Sequence, residues 1–240
     1  MPHKPPSVVL TFDTDWAPDF AIQLVADELI RRKLRATWFV THRSPAIDAL
    51  AGVSLFELGV HPNFLPGSTH GGTTLEVLSH CLAIVPGATS MRTHALVQST
   101  PIFETVLAET PIRTDVSMLM PGQPAAPFTF HLRGRSLLRV PYHWEDDVEM
   151  GHPTPSWEPT AQSNAHAFVP NFHPIHVYLN SADFSRYRAL RATCPRLTDL
   201  KAAQAAPFVN SGVGTGTAFQ RLIEELDPSA TGCIRDLRAQ

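Results

Sequence analysis

Two carboxylates stand two residues apart in Asp13-Thr-Asp15, directly after the apolar segment Ser7-Val-Val-Leu-Thr-Phe12. In extended backbone alternate side chains share a face, so both acids would point into one pocket. Neighbouring carboxylates repel each other unless a cation or a proton intervenes, and a metal ligand beside a general base is a natural division of labour. The same tripeptide would also suit an Asx-turn or a helix cap. Histidines form the second part of the pattern. His61 opens the segment His61-Pro-Asn-Phe-Leu-Pro-Gly-Ser-Thr-His70-Gly-Gly72, whose Pro and Gly content marks a loop. A strand end followed by such a loop could fold two imidazoles onto one ion. Imidazole with carboxylate suits zinc and related divalent metals, and three protein ligands leave a position for water.

The elements that must position these residues read as an α/β alternation. Ser7 to Phe12 is β-branched and apolar with little alternation, the pattern of a strand buried on both faces. An apolar stripe at helical spacing predicts a helix over Asp19 to Arg35 with Asp19 as its N-cap. Ala36 to Val40 is a second buried strand, which completes a βαβ unit. Further strands are expected at 54–60, 89–92, 112–116, 136–140 and 172–179. Further helices are expected at 73–85, 101–108, 184–191 and 215–226. This order predicts a mostly parallel sheet, open or closed into a barrel. In parallel folds the binding crevice lies at the carboxyl ends of the strands. Asp13 and Asp15, His61, Arg92 and His94, and His173 with His176 all fall at or near such ends.

At this point Thr11-Phe-Asp13-Thr-Asp15 resembles the first motif of the polysaccharide deacetylase superfamily, the NodB-homology proteins of carbohydrate esterase family 4. The resemblance extends along most of the chain. It implies a distorted (β/α) barrel with about seven mostly parallel strands. It also implies Asp13 as general base and Asp15, His61 and His70 as ligands of one divalent metal ion, with zinc the expected one. Two departures from the common pattern are visible: a threonine separates the aspartates, and Leu65 occupies the position where the second histidine would usually fall. Met91-Arg-Thr-His94 resembles the third motif, which implies that Arg92 pairs with Asp13; His94 carries no assigned role. Asp115-Val-Ser117 resembles the acidic segment that follows. Arg139-Val-Pro-Tyr-His-Trp-Glu-Asp-Asp147 resembles the fourth motif, with Trp144 as the candidate sugar-stacking residue or else a core tryptophan, and Asp146 and Asp147 as groups that could tune a histidine or cap the loop. Asn171-Phe-His173 resembles the last motif, which makes His173 the general acid and leaves His176 in reserve beside the substrate. The activity implied is hydrolysis of an N-acetyl group on a sugar, a sugar nucleotide or a glycan. A related amidase or deformylase acting on a small amide or lipid-linked sugar, and an inactive carbohydrate-binding domain, are the alternatives. The loop His61 to Gly72 is similar to that of deacetylase-like proteins of bacterial surface-polysaccharide (O-antigen) assembly.

Bulk properties agree with such a reading. A chain of 240 residues, 43% hydrophobic and 17% charged, can bury one sizeable core, so a single catalytic domain over 1–240 is expected. A net charge of -3 offers no basic field for nucleic acid. No apolar stretch reaches the roughly 20 residues needed to span a bilayer. Met1 to Pro6 with Val8 to Leu10 contains no signal-peptide core, which predicts a cytoplasmic protein. Cys81, Cys194 and Cys233 are widely spaced and predict buried thiols rather than a disulfide framework or a thiolate zinc site. The 22 prolines cluster at 121–127 and 153–170, where long ordered loops are expected.

Overall fold

The computed structural model describes residues 5–160 and 166–239. In chain order it contains β1 (Leu10–Asp13), α1 (Asp19–Arg32), β2 (Ala36–Val40), α2 (Pro45–Ala51), β3 (Phe56–Val60), α3 (Thr74–Ile84) and β4 (Ser90–Met91). Then follow α4 (Thr100–Glu109), β5 (Thr114–Leu119), β6 (Phe128–Leu132), β7 (Arg135–Tyr142), β8 (Trp144–Glu145) and α5 (Asp146–Gly151). The last elements are β9 (Pro170–Phe172), α6 (Pro174–Leu179), α7 (Phe184–Thr193), α8 (Ala202–Ala205) and α9 (Thr215–Glu225).

Among the described residues the strands form one sheet in the order β6-β7-β5-β4-β3-β2-β1-β9-β8. Every pairing is parallel except that of β6 with β7. The two ends of this order meet, because β8 continues β7 after the single residue His143. One half of this bent stretch pairs with β5 and the other half with β9. His143 itself donates its N–H to the Val169 carbonyl oxygen at 2.8 Å. The sheet therefore curls back on itself. With β7 and β8 counted as one and β6 as an antiparallel arm, the nine strands reduce to a ring of seven, as expected of a distorted barrel.

The ring's interior is built by strict alternation. Phe12 faces the outer layer, where it stacks on Trp38 at 4.6 Å and meets Phe219 of α9. Val9 belongs instead to a separate cluster with Phe39, Val116, Val140, Tyr142 and Val169, sealed by Ile234 and Leu237 near the C-terminus. Thr11 and Asp13 lie on the same face of β1 as Val9. Side-chain contacts confirm the closure: Arg92, at the end of β4, reaches Asp13 on β1 and Asn171 on β9. In the strand order β3 and β2 lie between β4 and β1, so only a curved sheet allows those contacts. Gly59 on β3 makes room inside, since a Cβ there would lie 2.8 Å from the Phe39 ring.

The expected elements are present with shifted ends, and one changes type. α1 begins at Asp19 but is capped by Pro18, and it stops at Arg32 because Lys33 turns left-handed at φ 58°. Residues 172–179, expected as a strand, are the end of β9 followed by α6. Ile175, Val177 and Leu179 alternate as in a strand, but Pro174 at the first helical turn pre-sets helical φ and Asn180 closes the helix in the left-handed region. The short helix α2, with Ser44 as cap, had no expectation attached. Residues 121–127 carry no helix or strand and 153–160 likewise, whereas 161–165 of the second proline-rich loop and Met1 to Lys4 lie outside the described residues. Cys81 and Cys233 are buried and Cys194 half-buried. Among the described residues no helix is long and apolar enough to cross a membrane.

Candidate active site

Three potential ligand atoms converge at the carboxyl end of the ring. His61 follows β3, Asp15 lies two residues beyond β1, and His94 lies three beyond β4. Asp15 Oδ1 is 3.1 Å from His61 Nε2 and 3.2 Å from His94 Nδ1, and the two nitrogens are 3.4 Å apart. Ligand atoms about 2.0–2.1 Å from a tetrahedral ion are separated by about 3.3 Å. The donor set fits a divalent metal in chemistry as well: one carboxylate and two imidazoles, half-open to solvent on the Asp15 and His94 side. Burial alone would raise the Asp15 carboxyl, yet hydrogen bonding to His61 and His94 holds it well below the usual carboxylate range. Asp15 has φ 41° and Trp16 φ 54°, so two successive non-glycine residues are held left-handed where the chain leaves β1. Such backbone costs about 1–3 kcal/mol per residue and persists only where the surroundings enforce it.

Asp13 lies one layer deeper, 2% exposed, and is held on both oxygens. Arg92 Nη1 donates to Oδ1 and Asn171 Nδ2 to Oδ2, both at 3.0 Å. Arg92 is fully buried with its guanidinium between the rings of Phe39 and Tyr142, 4.7 and 4.3 Å from their centroids. Its Nη2 donates to Thr11 Oγ1 and its Nε to the Val116 carbonyl. Asn171 also accepts from Arg92 Nη1 at 2.5 Å and donates to Glu145 Oε1 at 2.9 Å. A buried cation and a buried anion are thus paired, with further hydrogen bonds on each, the condition under which such a pair persists. His61 Nδ1 faces Asp13 Oδ1 at 3.7 Å, which sets the acid beside the metal-ligand cluster.

The opposite wall carries His173. Its Nδ1 lies 2.7 Å from Asp146 Oδ1, and its backbone N–H donates to Asp146 Oδ2. This grip aims Nε2 toward the cluster, 3.7 Å from Asp15 Oδ2. Burial would lower the imidazole's pKa, but the charge and hydrogen bond of Asp146, with Asp147 and Asp15 behind, raise it well above its ordinary value. Burial drives Glu145 the other way for an acid, up to about 8, with the neighbouring Asp147 adding to the rise. The site therefore places an Arg92-paired, hydrogen-bonded carboxyl group on one side of the ligand cluster and, on the other, an imidazole whose pKa is raised.

Residues 10–191 match the family model of WbmS-like polysaccharide deacetylases. The chain belongs to that family. Among solved structures it is similar to a Bordetella bronchiseptica protein whose proposed role is polysaccharide deacetylation in O-antigen biosynthesis. Identity is 34% over 93% of each chain, with a TM-score of 0.79. No curated protein matches significantly.

In this WbmS-like deacetylase the expected pair Arg92–Asp13 is present, and Asp15 and His61 share the ligand cluster. His70 does not join them; His94, which had no expected role, takes the third position. The reason is local: His70 Nδ1 accepts from the Asn63 N–H at 3.1 Å, lies 3.4 Å from the Cys81 thiol, and the ring stacks on His80 at 4.9 Å. Burial lowers its pKa to about 4. Trp144, expected to stack on a sugar, is 7% exposed and packs in the core with its ring 4.9 Å from Phe172. His176 shares a helical face with His173 rather than a strand's opposite face, 5.9 Å away, but its Nδ1 is tied to Ser181 at 3.0 Å. Asp115 pairs with Arg139 at 2.7 Å, away from the ligand cluster. Asn171 was passed over, although it precedes His173 by two residues on a strand and so had to share its face. The same spacing links Arg92 to His94.

Proposed function

We propose that this protein removes an N-acetyl group from a sugar of a bacterial surface polysaccharide, such as an O-antigen, or from its precursor. The whole chain, 1–240, acts as one catalytic domain, a hydrolase of carbon–nitrogen bonds other than peptide bonds, working in the cytoplasm on a sugar nucleotide or lipid-linked glycan. Asp15, His61 and His94 would hold one divalent ion, zinc by the chemistry of the donor set. Such an ion, when bound, polarises the amide carbonyl, acidifies water and offsets the charge that develops on oxygen. Asp13 takes the proton of the attacking water. Each of its oxygens accepts one hydrogen bond from the protein and keeps a lone pair for that proton. His173 gives its Nε2 proton to the departing amine, a poor leaving group unless protonated, while Asp146 stabilises the imidazolium.

One observation carries this reading: an Arg92-held carboxylate and an Asp146-held imidazole flank a three-donor cluster whose spacing suits one ion. A complete set of this kind argues against an idle sugar-binding domain. In the decisive experiment, release of acetate from N-acetylated sugars is measured for wild type and Asp13→Asn. The variant should retain its metal, because Asp13 is outside the donor set, and should lose a hundred- to ten-thousand-fold in turnover, roughly the contribution of a positioned base. Full activity in the variant would remove Asp13 from the mechanism. Release of formate but no acetate would instead favour the deformylase alternative.

A further inference from the structure

Beside the ligand cluster lies a cavity of about 440 Å³ whose walls include Trp16, His42, Arg43, His70, His80 and Ile84. Trp16 joins the two regions, its ring 5.4 Å from His94 on one side and 5.4 Å from His70 on the other. We propose that this cavity receives an anionic group of the substrate, a sugar carboxylate or a phosphate ester, with the ring that carries it stacked on Trp16. The proposal rests on the deacetylase reading only for which end of the substrate faces Asp13 and His173.

The placement of Trp16 is enforced. Its φ of 54° follows Asp15 at 41°, an outlier for a bulky residue. The conformation is held by a hydrogen bond of 2.9 Å from its N–H to Thr41 Oγ1, and Thr41 is itself tied to Thr14. What this backbone achieves is to turn an indole outward at the mouth of the site. Trp16 is half-buried, whereas Trp38, Trp144 and Trp157 are 0%, 7% and 8% exposed. A half-exposed indole offers the apolar face that the C–H side of a sugar ring packs against.

The charge of the walls selects the substituent. Among the described residues no carboxylate lines the cavity, although the chain as a whole is acidic at -3. Asp15 and Asp19 act on His42 from outside the wall, Asp15 being engaged by His61 and His94, while Glu145, Asp146 and Asp147 cluster with His173. Arg43 stands exposed at the cavity, with Nη2 donating to the Ala83 carbonyl at 2.7 Å. Its other N–H groups can meet a carboxylate or phosphate in the forked geometry that guanidinium prefers. Imidazoles of His42 and His80 add donors, and Ile84 adds apolar surface. The volume lies within the range of about 300–1,000 Å³ typical of small-ligand sites.

The test is a fluorescence titration of the full-length, metal-loaded protein with N-acetylglucosamine, N-acetylglucosamine 1-phosphate, glucuronic acid and inorganic phosphate. Trp16 is the half-exposed reporter among the four tryptophans. One of the two anionic sugars should quench saturably and bind about tenfold tighter than the neutral sugar, the factor for one charge-assisted contact; which one distinguishes carboxylate from phosphate. Arg43→Gln, a change at an exposed position, should abolish that preference, and Trp16→Phe should weaken both sugars by calorimetry. Equal binding of neutral and anionic sugars would overturn the proposal. So would an unchanged preference in Arg43→Gln, or inorganic phosphate binding as tightly as the sugar phosphate. Binding is read without turnover, so the two readings fail separately. A protein that binds as expected but releases no acetate loses the deacetylase assignment, and one that deacetylates without anionic preference loses the subsite.

Discussion

His94 and His70 show how far residue types and spacing reach. Both are histidines near strand ends, and the loop carrying His70 looks the more suitable for a ligand. The outcome turns on which ring nitrogen is already engaged. His70 Nδ1 accepts from the Asn63 N–H, whereas His94 Nδ1 faces Asp15 and His61. That difference depends on the path of the loop 61–72, which Gly71 shapes at φ 146° where a Cβ would meet Glu76 at 2.7 Å, and no spacing rule encodes it. Zinc titration of His94→Ala should show an affinity loss beyond the roughly 10- to 100-fold that losing an outer-shell partner costs. His70→Ala should bind zinc as wild type does, and the reverse ranking would restore His70 as the ligand. A second residue-scale expectation concerns Asp146, whose charge keeps the His173 proton in place against burial. Removing that charge in Asp146→Asn lowers the imidazole's pKa, so less of it is protonated at any given pH. The alkaline limb of the pH–rate profile should therefore move to lower pH, while an unmoved limb would mean that His173 is not the acid. By contrast the gathering of Asp13, Asp15, His61, Arg92 and His173 in one place was legible from sequence, since each follows an apolar strand or repeats a motif.

Elements were legible where one period dominates. β2 has the expected ends because all five of its residues are buried between layers, and α4 and α9 differ from expectation by a residue or so. α6 was misread because buried residues line most of that short helix, so its apolar positions can alternate without implying a strand. β8, two residues long, is too short for any periodic signal, whereas the equally short β4 falls inside the strand expected at 89–92; both place site residues. Their positions are set by register with neighbours, Met91 opposite Val60 and Glu145 opposite Asn171. The interior of so narrow a ring leaves little slack, which Gly59 on β3 makes testable. A methyl there would lie 2.8 Å from both the Phe39 ring and Ser90 Oγ. Phe39 is one of the two rings that enclose Arg92, so displacing it disturbs the support of Asp13. Gly59→Ala should lower stability by about 1–3 kcal/mol, the cost of overpacking, and reduce turnover more than substrate affinity. Chemical denaturation with kinetics measures both, and a stable, fully active variant would show that the ring interior can relax around Phe39.

At the scale of the molecule the fold concentrates like charge in one place and leaves much of its compensation to something that binds there. Closure of the ring depends on the bend at His143, a feature without a local signature, and closure brings acids from three segments together. Asp13 and Asp15 come from the end of β1, Glu145 from β8, and Asp146 and Asp147 from α5. Arg92 pairs with Asp13, and the imidazoles of His61, His94 and His173 face the rest. Repulsion is visible in the raised pKa of Asp147 and of Glu145, burial being the larger cause in each. A divalent ion at Asp15, His61 and His94 would relieve that field and bind only the folded chain, because the three donors come from different strand ends. An ion present at a thousandfold excess over its dissociation constant stabilises by about 4 kcal/mol. In a domain of this size that corresponds to a melting shift of roughly 10 °C. Removing metal with a chelator should therefore lower the melting temperature by that order and abolish acetate release together, and adding zinc should restore both. His61→Ala, lacking a ligand, should melt at the same temperature with and without chelator. Wild type that melts identically in both conditions would mean that the Asp15, His61 and His94 cluster holds no ion in the folded protein.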